Sequence, residues 1–265
     1  MKQWLFLWIC LSCVSVNLSA ADDSDFSIAG AELAPHSGQA LPQKGWVPQV
    51  INEALKSSGY RVDFQFLPFN RALVSVRKGQ IDAMSPLYIS ELRKTFLYYS
   101  EPLVISKTSL FYTKEKPVNY RNISDLSGLK IAIMRGASVN PEFDKYQDMI
   151  RIEVTSYEQL VRMLLLGRVD ALVGEEFVVR EIIKNDDEFN GKHRLLQGDV
   201  ALATQGLYVA VSKAAPDAAN KFNALKVGLS QLKASGRFNQ ILQQHGIAYE
   251  NGLIQPVRDP LDDIH

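Results

Sequence analysis

Gly79-Gln80-Ile81-Asp82-Ala83 returns 88 positions later as Gly167-Arg168-Val169-Asp170-Ala171. Each copy follows a stretch with helical apolar spacing, residues 72–78 before the first and residues 157–166 before the second, where Leu160, Met163 and Leu164 share one face. Glycine there suits the left-handed residue that closes a helix, and the apolar residue after it opens a strand. Two copies at this separation predict two α/β units of similar plan, each within the usual domain size, rather than one long sheet. Chance likeness of five residues would leave the same trace.

Outward from the first copy, Phe26-Ser27-Ile28-Ala29-Gly30 reads as a strand. Residues 45–57 carry Val47, Val50, Ile51, Ala54 and Leu55 at helical spacing, with Pro48 tolerated in the first turn. Val62, Phe64 and Phe66 alternate as a strand with one buried face, and residues 70–78 read as a helix ending at Gly79. This alternation predicts an α/β sheet with helices packed on its faces. Residues 103–112 are rich in β-formers, and residues 122–128 read as a loop and short helix opening the second unit. Its first strand, residues 130–134, ends at Arg135-Gly136-Ala137-Ser138. A later strand, residues 206–211, precedes a long amphipathic helix over residues 217–235. The tail after Gly246 is polar, with Pro256, Pro260, Asp262 and Asp263, and is expected to be largely unpacked.

At the other end, Lys2, the apolar residues 4–16 and the small residues Ser19, Ala20 and Ala21 have the order of a secretory signal peptide. The apolar run is shorter than the about 20 residues a spanning helix needs. Residues 1–21 are therefore expected to be cleaved and the remainder to be soluble in the periplasm, an uncleaved anchor being the alternative. Both cysteines, Cys10 and Cys13, fall inside this segment, so the mature chain must rest on its hydrophobic core without a disulfide. Cys13 as a lipidation site is a further alternative, poorly supported by the residues before it. Basic and acidic residues balance at 29 each with no basic cluster, which argues against nucleic acid as a partner. Four scattered histidines and no mature cysteine argue against a metal site. No Gly-x-Ser-x-Gly elbow, phosphate loop or dinucleotide fingerprint is present, so no cofactor is expected, and the chain points away from an enzyme.

Further landmarks follow in order: Ala34-Pro35, Gly45-Trp46, Pro68-Phe69, Ser90-Glu91-Leu92-Arg93, Tyr99-Ser100-Glu101-Pro102, residues 125–130 (Asp-Leu-Ser-Gly-Leu-Lys) and Ser235-Gly236-Arg237-Phe238. With the two repeat copies, they make residues 26–247 resemble the family 3 extracellular solute-binding proteins. The resemblance implies the type II periplasmic binding protein fold, two α/β lobes joined by two hinge strands with ligand held between them. It implies a first lobe from residues 22–105 and 205–247, a second lobe from residues 106–204, a tail over residues 248–265, and crossings near Ile105 and Thr204. The implied function is capture of a small polar solute, an amino acid or related zwitterion, for a membrane ABC permease, by a monomer without catalysis. Two alternatives stay open. One is an enzyme like cyclohexadienyl dehydratase on the same fold, with Glu175 or Glu176 as general acid if burial raised its pKa. The other is a ligand-sensing partner of a membrane sensor.

Ligands of open α/β sheets sit at the carboxyl ends of the strands, which brings forward Ser85, Tyr88 and Arg93 after the first repeat copy and Glu175 after the second. By resemblance, Arg93 matches the arginine that grips the ligand carboxylate, a task that suits its planar fork. A surface arginine beside Lys94 would read the same way. Glu175 matches the acidic residue that receives the ligand ammonium, although Glu175-Glu176 also reads as a solvated pair at a helix start. Ala137 and Ser138 lie on a turn whose N–H groups would bind the same carboxylate, and Ser138 reads equally as an N-cap. Phe69 matches an aromatic wall over the ligand, or a core residue. Arg71 and Arg135 are further candidates. Val47, Tyr88 and Leu33 depart from the residues usual at those positions, which predicts a reshaped site.

Overall fold

The computed structural model describes residues 25–185, 195–250 and 252–256, so the N-terminal segment read as a signal and residues 257–265 lie outside the described residues. The chain opens with β1 (Asp25–Gly30), α1 (Trp46–Leu55), β2 (Arg61–Phe66), α2 (Phe69–Arg77), β3 (Ala83–Leu87), α3 (Glu91–Lys94) and β4 (Leu97–Tyr99). A long strand β5 (Val104–Thr113) leads to β6 (Lys130–Met134), α4 (Pro141–Lys145), β7 (Ile150–Val154), α5 (Tyr157–Leu165), β8 (Ala171–Glu175), α6 (Glu176–Asn185) and β9 (Leu195–Gln197). A second long strand, β10 (Ala203–Ser212), returns to α7 (Ala218–Ala234), α8 (Arg237–Gln244), β11 (Ile247–Glu250) and β12 (Leu253–Pro256).

The strand order β2-β1-β3-β10-β5-β8-β6-β7 places the two long strands at its centre. β10 pairs with β5 through residues 203–207 and with β3 through residues 208–211. β5 pairs with β10 through residues 104–108 and with β8 through residues 108–111. Each long strand thus passes from one half-sheet into the other. The first half-sheet holds β2, β1 and β3 in parallel, the second β7, β6 and β8 in parallel. Each half has its own cores: Phe26, Trp46, Ile51 and Phe238 sit in one cluster of the first half, Leu126, Ile131 and Phe143 in one of the second.

The Gly-x-x-Asp-Ala repeat has a structural cause. In both copies the helix closes with the same pair of bonds: Gly79 and Gly167 donate to Val76 and Leu164, and Gln80 and Arg168 donate to Ser75 and Met163. Both glycines are left-handed, at φ +70° and +65°, as this helix stop requires. The aspartates then receive a backbone N–H from the neighbouring strand, Ser27 to Asp82 at 2.8 Å and Lys130 to Asp170 at 2.7 Å. Ala83 pairs with Ile28 and Ala171 with Ile131, so each copy sets the register of a strand beside the first strand of its half. The strands begin at these alanines, two residues after the apolar Ile81 and Val169 expected to open them.

The tail expectation is overturned over residues 247–256. β11 and β12 form an antiparallel hairpin, and Leu253 of β12 pairs with Ile105 of β5. Ile247 is buried and the Tyr249 ring meets Phe238 edge-on at 5.6 Å, so two alternating apolar residues hold a segment whose composition reads as polar.

Candidate functional site

A cavity of about 90 Å³ opens where the two half-sheets meet. The first half supplies Leu33, His36, Phe69, Tyr88 and Arg93 to its wall, and the second supplies Met134, Ala137, Ser138, Tyr157 and Glu175. Arg93, on the short helix α3, is 5 % exposed. Its Nη1–H donates to the Tyr88 carbonyl and its Nη2–H to the Gly136 carbonyl, each at 3.0 Å, so one guanidinium spans both halves. The Phe69 ring lies 5.3 Å from the Arg93 Cζ, within cation–π range. Among the described residues no carboxylate forms an ion pair with it. Burial lowers the Arg93 pKa, with Tyr99 and Asp144 acting in the opposite direction. The result is a desolvated cation at the cavity wall with donor capacity left over, since a guanidinium carries five N–H groups.

Glu175, at the end of β8, is 3 % exposed and sits in a chain of hydrogen bonds that can be polarised unambiguously. The Trp46 indole is a donor alone, and it donates to His36 Nδ1 at 3.0 Å. That leaves the His36 proton on Nε2, which donates to Glu175 Oε2 at 3.3 Å. The same Oε2 accepts the Val178 N–H at 2.7 Å, so Glu175 also caps the first turn of α6. Oε1 accepts the Ser106 hydroxyl at 2.7 Å, and Ser106 in turn accepts from the Tyr88 hydroxyl at 3.0 Å. Burial, then Glu175 and Tyr157, raise the Tyr88 pKa well above that of a free phenol, which keeps Tyr88 a donor. Burial and the nearby Glu175 also raise Tyr157, whose hydroxyl accepts the Glu175 N–H at 3.3 Å. Tyr99, whose hydroxyl donates to the Tyr88 carbonyl, is pushed up to about 12, chiefly by burial.

Residues 35–247 match the family described as bacterial extracellular solute-binding proteins, family 3. The chain belongs to this family. The "Arginine-binding extracellular protein ArtP" of Bacillus subtilis is 21 % identical over 211 residues, covering 72 % of this chain and 80 % of the relative. Among solved structures, the amino acid ABC transporter substrate-binding protein AbpA from Streptococcus pneumoniae, bound to L-arginine, is similar at TM-score 0.70 and 20 % identity. That match covers 84 % of this chain and 94 % of the other. A histidine kinase sensor domain with similarity to periplasmic binding proteins matches at TM-score 0.73 and 18 % identity, covering 88 % of this chain and all of that domain. These likenesses carry the fold: two lobes of type II periplasmic binding protein plan. Among the described residues no helix is long and apolar enough to cross a membrane.

Within this family 3 solute-binding protein, six residues singled out from sequence, Phe69, Tyr88, Arg93, Ala137, Ser138 and Glu175, come together on one cavity wall, and Arg135 joins them at its rim. Arg71 and Ser85 do not. Arg71 follows Phe69 by two residues on α2, about 200° around the helix, and is exposed. Ser85 is fully buried and donates to the Tyr208 carbonyl, so β3 turns it toward β10 while Pro86 takes its place on the wall. The helix after Ser138 is capped by Asn140, which accepts the Phe143 N–H at 2.8 Å. Ser138 instead donates to Asp144 at 2.7 Å, and the Ala137 N–H already donates to the Met134 carbonyl. Glu175 is no solvated helix-start pair; it is buried. His36, Trp46, Ser106 and Tyr157 escaped sequence reasoning. Ala34-Pro35 and Gly45-Trp46 mark the loop that carries His36, but nothing local links it to a glutamate 139 positions away.

Proposed function

We propose that this protein is exported to the periplasm through a cleaved signal peptide, captures a small amino-acid-like solute in the cavity between its lobes, and delivers it as a monomer to an ABC-type permease. The observation that carries the reading is Arg93: a buried guanidinium facing a largely apolar cavity with no carboxylate partner among the described residues. A ligand carboxylate would complete it through a charge-assisted, two-pronged bond. The amino-acid ligands and ABC transporters named for the relatives support the same solute class. The exchange of β5 and β10 between half-sheets supports a first lobe from residues 22–105 and 205–247, a second from residues 106–204, and hinge crossings near Ile105 and Thr204. The protein acts without catalysis or cofactor in this reading, because Glu175 is engaged in holding the architecture together.

A ligand-sensing role beside a membrane sensor is a second reading, favoured by the likeness to a histidine kinase sensor domain over all of that domain's length. A thermal-shift screen of the chain from Ala21 onward tests the main proposal, using the standard amino acids and small carboxylates. Ligand at 100 times its Kd stabilises by about 2.7 kcal/mol, a plainly visible shift. A shift with one group of related compounds is the expected outcome. No shift with any amino acid or carboxylate would sink the capture reading.

A further inference from the structure

We propose that His36 is a specificity-determining residue of this cavity: it holds the position on Glu175 that a ligand ammonium would take, so the site reads a small carboxylate with an apolar body and is indifferent to an α-amino group. The inference rests on the cavity being the solute site, as proposed above, and concerns which part of the solute is recognised there.

Three observations lead to it. First, a carboxylate offers about four lone-pair positions, and the protein fills three on Glu175, from Ser106, Val178 and His36. Second, His36 is not free to withdraw. It has no exposed surface, receives the Trp46 indole N–H on its far side, and is packed edge-on against Trp46 and Phe177 at 5.6 and 5.9 Å. Moving the ring aside would strand a buried indole donor and unpack two aromatic faces. Third, the other acid lining the cavity among the described residues is Glu32, at its solvent-exposed side. Glu32 is exposed and its two oxygens accept the Gln39 N–H at 3.1 and 3.3 Å. Arg135, also at the wall, is paired with Glu153. Arg93 is different in kind, since among the described residues its guanidinium meets carbonyl oxygens and the Phe69 ring. The rest of the lining includes Leu33, Pro86, Leu87, Met134 and Leu207, which suit an apolar body.

Calorimetric titration of the chain from Ala21 onward with two matched pairs tests this: L-leucine against 4-methylpentanoate, and L-arginine against 5-guanidinopentanoate. The members of each pair differ by the α-amino group alone. In whichever pair binds, the two affinities are expected to agree within a few-fold, whereas an ammonium seated on a free carboxylate would separate them by about 10- to 100-fold. A tenfold or larger preference for the amino member overturns the role of His36 and leaves solute capture standing. Failure of both pairs to bind overturns the reading of a carboxylate with an apolar body, while solute capture itself stands or falls on the thermal-shift screen. His36→Ala vacates the position and is expected to create a preference for the amino member of at least about tenfold. Should that variant fail to fold by circular dichroism, Glu175→Gln decides. An unchanged ratio within the pair supports the proposal, and a fall in the amino member alone refutes it.

Discussion

Arg93 has been taken almost wholly out of water and meets, within the protein, two carbonyl oxygens and an aromatic face. Its geometry explains why a lysine would not replace it: an ammonium is a point charge that cannot hold the Tyr88 and Gly136 carbonyls and still present a planar fork to a ligand. Arg93→Lys is therefore expected to weaken carboxylate binding by at least about tenfold while keeping the charge. Calorimetry on the variant checks this, and an unchanged affinity would remove Arg93 from the ligand's grip. At this scale the wall was largely legible, because Tyr88, Ala137 and Glu175 lie at or just past the carboxyl ends of strands and Arg93 on the short helix that follows, where α/β sheets expose their ligands. His36 was not legible. Its role depends on a tautomer set by Trp46 and on a partner 139 positions distant.

At the scale of elements, the two Gly-x-x-Asp-Ala segments make the same helix stop and the same strand register, yet their surroundings differ. A Cβ on Gly79 would stand 2.3 Å from the Ala214 carbonyl oxygen, whereas one on Gly167 would meet nothing within 4 Å. Both substitutions pay the left-handed backbone cost, about 1–2 kcal/mol. Gly167→Ala is expected to lose that alone. Gly79→Ala should lose a further 1–3 kcal/mol or so, because backbone must move to admit the methyl. Urea unfolding with a shared m-value compares them, and equal losses would show that the Ala214 contact relaxes freely. The helix stops were visible in sequence because glycine's left-handed freedom is local. The hairpin of β11 and β12 was missed because its support, Phe238 and Ile105, comes from elsewhere in the chain.

Across the whole molecule, the last third of the chain is tied back to the first. Lys221 of α7 reaches Asp82 at 2.7 Å, with both side chains under 10 % exposed, and Asp82 also accepts the Ser27 N–H and hydroxyl. Removing one member of a buried pair strands the other and typically costs about 3–5 kcal/mol. Lys221→Met is expected to fall in that range, and Lys221→Met with Asp82→Asn to lose less, since the stranded charge is gone. Chemical denaturation of both variants measures the difference, and a loss below about 1 kcal/mol for the single variant would show that Asp82 is satisfied by Ser27 alone. The same pair accounts for the aspartate of the first repeat copy: it anchors β1 and α7 together, while its counterpart Asp170 pairs with Lys116 and the Lys130 N–H in the second half.

By itself the sequence determined what depends on near neighbours: the alternation of helices and strands, the left-handed stops at Gly79 and Gly167, and the positions where strands end and a ligand site must open. The order of its landmarks was enough to bring it to family 3. Tertiary structure alone decided which of the exposed candidates face the cavity and what they face. Arg71 stays off the wall because helical rotation separates it from Phe69, and Ser85 turned toward β10. Glu175 became a junction rather than an open acid, because burial obliges both of its oxygens to find donors, and the donors, Ser106, Val178 and His36, come from three separate stretches of chain.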